Sequence, residues 1–225
     1  MNKIRKYIKK LKLNLRNKFN PLFAPCRRYI GGIKQPFTII SNNCWGGLVY
    51  QYYNLGYDSP TIGCYFFAED YIKFISNLKY YLKLDMSFIS YDKSKHKEEL
   101  FRKKQTMIPI GVLDDVEIVF LHYHSEDEVL KKWNRRKERI HWDNLFFKFS
   151  EMNQCSFEHL KMFDEMLLEN KLVLVSQDYK LSSQVVVKSF TREHEVFDDT
   201  SNFREGLKLD CWLTGKPFRK KSFLG

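Results

Sequence analysis

An apolar run that ends in a glycine-rich turn constrains this chain more than any other feature. Phe37-Thr38-Ile39-Ile40-Ser41 reads as a buried strand, and Asn42-Asn43-Cys44-Trp45-Gly46-Gly47 reads as a tight turn. Leu48 to Leu55 then reads as an amphipathic helix, and Thr61-Ile62-Gly63-Cys64-Tyr65-Phe66 as a second strand. Strand, turn, helix, strand is a building unit of open α/β sheets. Such sheets bind ligands beyond the carboxyl ends of their strands.

The rest of the chain continues the alternation. Glu69 to Lys83 carries Tyr71, Ile75, Leu78 and Leu82 on one helical stripe. Met86 to Ser90 is a short strand, and Tyr91 to Lys104 is a charged loop with a helical turn. Met107 to Leu113 and Val116 to Leu121 are strand-like, with Asp114-Asp115 as a turn between them. Ser125-Glu126-Asp127-Glu128 is a capping box, so a helix starts there and runs to about Ile140. Leu145 to Phe149 is a strand. Ser156 to Glu169 is a helix with Leu160, Phe163 and Leu167 on its core face. Leu172 to Val175 and Val185 to Val187 are the last strands, before a polar tail from Thr191. The expected fold is α/β: a mostly parallel, Rossmann-like sheet with helices on both faces and strand 37–41 in its interior.

Charge divides the chain. Residues 1–57 hold eleven Lys and Arg and no acidic residue, whereas 27 basic and 27 acidic residues balance from Asp58 onward. The net +11 therefore belongs to an N-terminal arm, which makes nucleic acid the least supported partner. In that arm Ile4, Ile8, Leu11, Leu15 and Phe19 recur at helical spacing among lysines and arginines. Residues 3–19 thus suit an anionic membrane surface, or packing on the domain. Pro21, Pro25, Gly31, Gly32 and Pro36 read as a linker, giving an arm and linker over 1–36 and one α/β domain over 37–225. No run approaches the roughly 18 to 20 apolar residues of a membrane span, and no secretory signal is visible. The expected place is the cytoplasm, with the inner face of the membrane as the option if the arm binds lipid. Five scattered cysteines without a C-x-x-C pair read as free thiols, not as a disulfide frame or a zinc site.

Candidate chemistry collects where parallel strands would end. Strands at 37–41, 116–121, 145–149 and 172–175 would bring Asn42, Asn43, His122, His124, Asn153, Ser176 and Asp178 to one edge. Gly46-Gly47 would offer free amides to a phosphate or carboxylate, or simply satisfy a turn. Trp45 stands beside them. His122 and His124 could serve as acid–base groups, bind an anionic substrate or form a structural pair, and Asp178 is a further catalytic candidate. Arg136 is a lone charge on the apolar stripe of Val129, Trp133 and Ile140. It needs a carboxylate, a phosphate or carbonyl oxygens around it. No dinucleotide fingerprint, P-loop, metal set or cofactor motif is evident.

Several of these pieces resemble a known family. They are Ile40-Ser41-Asn42-Asn43-Cys44-Trp45-Gly46-Gly47, Ser59-Pro60-Thr61-Ile62-Gly63, Pro109-Ile110-Gly111, His122-Tyr123, and Lys132-Trp133 with Arg136, Arg139-Ile140 and Trp142-Asp143. In this combination the chain resembles a family of largely uncharacterised bacterial proteins, many labelled exopolysaccharide biosynthesis proteins. The resemblance implies surface-polysaccharide assembly and carries no catalytic residues. The expectation is a transferase acting on a sugar-phosphate or nucleotide-sugar, or else a non-catalytic module that recruits a glycan or a partner to the membrane. No cofactor is expected.

Overall fold

Period-two alternation in three strands decides how the molecule is layered. In the computed structural model, which describes residues 19–218, Ile40, Phe147, Phe149, Val173 and Val175 point to one side of a sheet. Ile39, Phe146, Leu172 and Leu174 point to the other. The sheet has four parallel strands in the order β1 (Thr38–Ser41), β5 (Leu145–Ser150), β6 (Lys171–Val175) and β7 (Gln184–Val186). Thr38 aligns with Leu145, Phe147 with Lys171, and Val173 with Gln184. One face packs with α3 (Ala68–Ser76), α6 (Glu126–Lys137) and α7 (Phe157–Glu165). The other packs with α2 (Trp45–Tyr53) and α8 (Leu209–Leu213). Helices therefore cover both faces of a parallel sheet, as the alternation predicts.

A second sheet was not foreseen. It is antiparallel, in the order β2 (Ser87–Ile89), β3 (Ile110–Leu113) and β4 (Val116–Val119). Asp114-Asp115 closes the β3–β4 hairpin, with Asp114 in the left-handed region at φ 56°. The run at 116–121 is thus not a strand of the parallel sheet. The expected strand at 61–66 is irregular, with a single antiparallel bridge from Tyr65 to Val119. Buried Asp70 on α3 ties this region together by accepting from Lys95 Nζ (2.5 Å), His96 Nε2 (2.6 Å) and the Glu117 amide (3.1 Å).

Other expectations are also corrected. β1 lies at the end of the sheet order, not inside it, yet all four of its residues are buried. Its outward amides are met by side chains, Ile39 by the Tyr50 hydroxyl (3.1 Å) and Ser41 by Thr61 Oγ1 (3.1 Å). The expected linker is a helix, α1, running from residue 19, the first described, to 31. Its Arg27 and Arg28 donate to the carbonyls of Tyr52 and Tyr53 at the C-terminus of α2, a helix end with no basic residue of its own. The helix expected at 69–83 breaks at Asn77, where the short helix α4 (Leu78–Tyr81) begins. The charged loop does hold its expected helical turn, as the short helix α5 (Lys97–Arg102). α7 stops at Glu165, which leaves Leu167 exposed and not on the core face. The polar tail is no appendage, because Val196, Leu207, Leu209 and Trp212 enter the core beneath α2. The arm residues 3–18 lie outside the described residues.

Candidate functional site

The cleft begins with a helix that carries one buried charge. Ser125 caps α6 by accepting from the Glu128 amide (3.2 Å), and the acidic first turn suits the helix dipole. Glu128 does not close the expected box, since it accepts from the His124 amide instead (2.9 Å). The helical repeat then turns Val129, Trp133 and Arg136 inward together. Arg136 is buried, and its Nη1 donates to the Ile62 carbonyl (3.0 Å) and the Tyr123 hydroxyl (2.5 Å). Its guanidinium lies over the Tyr57 ring at 5.3 Å. Its Nε is buried without a partner, and among the described residues it makes no ion pair with a carboxylate. Burial, with Cys64 adding to it, pushes the Tyr123 hydroxyl well above the usual tyrosine range, while Arg136 opposes. Tyr123 therefore stays a neutral hydroxyl that accepts from Arg136 and donates to the Ile62 carbonyl (2.6 Å).

Gly63 lets Tyr123 approach. It sits at φ +81°, and a Cβ there would stand 2.9 Å from the Tyr123 ring. Its carbonyl accepts from the His122 amide (3.1 Å), which holds His122 at the rim. A cavity of about 460 Å³ results, lined by Gly47, Ile62, His122, Tyr123, Lys132 and Arg136 among others. A second cavity of about 650 Å³ adjoins it across Cys44, His122 and Thr200. The second is lined by Asn43, Lys103, Asn153 and Asp199. Together they form a two-lobed cleft beyond the carboxyl ends of β1 and β5, with His122 on the divide.

The floor of the second lobe is a buried ion pair. Lys148 interrupts the apolar strand β5 and turns toward α2, where its ammonium pairs with Asp199 and lies 5.5 Å from the Trp45 ring. Asp199 also accepts from Ser150 Oγ (2.5 Å) and Asn43 Nδ2 (3.0 Å). Asn43 Oδ1 in turn accepts from Lys148 Nζ (2.9 Å) and the Trp45 amide (3.1 Å). Burial pushes the Lys148 ammonium below the usual lysine range, and Asp199 opposes that shift. Burial, with the Asp199 charge next, pushes the Cys44 thiol up to about 11.

The structure gathers some of the expected site residues and disperses others. Gly47, His122 and Arg136 line one lobe, and Asn43 and His122 line the other. Asn42 is fully buried and bonds both backbone groups of Ser150, extending the sheet instead of facing ligand. Trp45 is core, its indole N–H donating to the Phe203 carbonyl (2.9 Å). Gly46 packs on β1, where a Cβ would stand 3.3 Å from Ile39. The Trp45 amide bonds Asn43 Oδ1 and the Gly47 amide bonds the Cys44 carbonyl, so two of the turn's amides are already engaged within the protein. His124 and Ser176 line neither lobe. Asp178 is elsewhere, in the β6–β7 connection. Lys180, first by its side chain and then by its amide, and Gln184 hold its carboxyl down to about 2. The sequence reading missed Lys148 and Asp199. A lysine inside Phe146-Phe147-Lys148-Phe149 was the available signal, of the same kind that singled out Arg136.

A family model described as a domain of unknown function, DUF1919, matches residues 16–210. The chain belongs to the DUF1919 family. The matched range takes in α1, both sheets and both lobes of the cleft. An uncharacterized protein of Haemophilus influenzae (strain ATCC 51907 / DSM 11121 / KW20 / Rd) is 29% identical over 165 residues, which covers 73% of this chain and 74% of its own. No described helix is long and apolar enough to cross a membrane. Among the described residues, no group of three or more His, Cys, Asp or Glu could hold a metal ion.

Proposed function

We propose that the cleft binds a sugar-phosphate or nucleotide-sugar and that the chain is a transferase of bacterial surface-polysaccharide, or exopolysaccharide, assembly. One observation carries the ligand class. Arg136 is buried, faces a cavity and has no carboxylate partner among the described residues. A buried guanidinium without a counter-charge is costly, and a phosphate in the lobe beside Lys132 would supply one. The polar second lobe, with Asn43, Lys103 and Asn153, suits sugar hydroxyls. In a transfer, the phosphate-bearing group would depart toward Arg136 and Lys132. His122, on the divide between the lobes, would take the acceptor hydroxyl's proton. The resemblance supplies the pathway, and the basic segment 3–19 would bring the chain to an anionic membrane surface at the inner face of the membrane.

A second reading is a glycan- or partner-binding module without catalysis. The observation in its favour is that the His122 ring makes no hydrogen bond or ion pair among the described residues, whereas a catalytic base is usually oriented by a third group. Thermal shift against nucleotide-sugars and sugar-1-phosphates tests the ligand class. A ligand at 100 times its Kd should stabilise by about 2.7 kcal/mol. Arg136→Lys, which keeps the charge and loses the fork, should weaken that binding about tenfold or more. If no phosphorylated sugar shifts the melt, or if Arg136→Lys binds as well as the parent, the ligand assignment is wrong. Product formation that His122→Ala abolishes while binding survives separates transferase from module.

A further inference from the structure

Helix α1 is built inside out. Amphipathic helices on a domain normally turn apolar residues inward and charges outward. Here the inward contacts are polar: Asn20 Nδ2 donates to the Gln51 carbonyl (2.6 Å), and Arg27 and Arg28 to those of Tyr52 and Tyr53. Ala24 is the buried apolar residue between them. The outward face carries Leu22, Phe23, Tyr29 and Ile30, exposed by 71%, 57%, 88% and 77%. An uncharged apolar face of this kind on the surface marks an interaction site.

We propose that the outward face of α1 is the docking surface of this chain for an anionic lipid bilayer. The inference rests on the membrane-surface part of the proposed function and is independent of the cleft's ligand. Charge complementarity selects the partner. Residues 3–18, directly before α1, hold eight Lys and Arg, and residues 1–57 hold no acid. Ile4, Ile8, Leu11 and Leu15 recur at steps of three and four, and the series runs on in register to Phe19, Leu22, Cys26 and Tyr29. An anionic bilayer meets an apolar stripe and dense positive charge at once. A second copy would instead bring two strongly basic segments together. Tyr29, with an apolar ring and a polar tip, is a residue type favoured at the membrane–water boundary. Docking would also orient the cleft. Asn20 and Pro21, at the described start of α1, line a cavity of about 360 Å³ that shares Leu48, Gln51 and Tyr57 with the Arg136 lobe.

The test uses the full chain and sedimentation with vesicles of phosphatidylglycerol and phosphatidylcholine, against vesicles of phosphatidylcholine alone. The parent should sediment with the anionic vesicles. F23S/I30S, whose changes lie on the exposed face and should leave the melting temperature unchanged, should partition at least roughly tenfold less. K9Q/K10Q/K12Q reports the arm separately. If that variant loses binding while F23S/I30S binds like the parent, the docking face is wrong and the arm reading stands. If the parent binds neither vesicle, both fail. If F23S/I30S instead lowers the sedimentation coefficient of a dimer in the absence of lipid, a second copy covers the face and the proposal is overturned.

Discussion

Cys44 shows how one environment separates chemically identical groups. It caps α2 in sequence, makes no side-chain cap, and sits between the two lobes beside Asp199. With its thiol pushed up to about 11, it is protonated at neutral pH, and only the thiolate is a nucleophile. The rate of its alkylation should therefore rise about tenfold per pH unit from pH 7 toward 11. Exposed Cys26 on α1 should react first at pH 8. Peptide mass spectrometry after timed iodoacetamide treatment reads both, and rapid labelling of Cys44 at pH 8 would contradict its placement. Arg136 was legible because one charge broke an apolar helical stripe. Lys148 broke an apolar strand in the same way, but its partner Asp199 lies in a polar stretch that periodicity does not describe. Asp178 followed an apolar strand and looked equally suited. Nothing local revealed that Lys180 and Gln184 would engage it.

At the scale of elements, β1 is an edge strand that is chemically finished. The Tyr50 hydroxyl accepts from the Ile39 amide and donates to the Phe37 carbonyl (3.0 Å), taking the place of a neighbouring strand. Tyr50→Phe removes one oxygen and leaves two buried backbone groups unpaired, so it should destabilise by about 1–3 kcal/mol in urea unfolding. An unchanged midpoint would mean that water replaces the hydroxyl. This arrangement explains why strand order was not readable. A continuous apolar run reports burial on both faces, and burial on both faces does not require two strand neighbours. The β3–β4 hairpin was misplaced for a related reason. Its two strands and the turn at Asp114-Asp115 were visible, but partner choice is set by tertiary packing on α3. Within the expected linker, residues 21–31 are helical, held by two arginines on the end of α2, and residues 32–36 are not helical.

Across the whole molecule, the Lys148–Asp199 pair joins the centre of the sheet to the segment that follows β7. Lys148→Met alone strands a buried carboxylate and should cost about 3–5 kcal/mol. Asp199→Leu alone strands the ammonium and should cost a similar amount. The double variant should recover much of that loss, and a double-mutant cycle by chemical denaturation measures the coupling. Simple additivity would show that the two charges do not depend on each other. The pair also sets an order in time. When a ribosome has released β1, β5 and β6, every strand of the sheet's centre is present, but Lys148 still lacks its counter-charge and the groove beneath Trp45 lacks Leu207 and Trp212. The sheet cannot settle into its final packing until residue 199 and the stretch to 212 have emerged. The centre of the sheet is thus completed by side chains that lie 51 or more residues beyond Lys148.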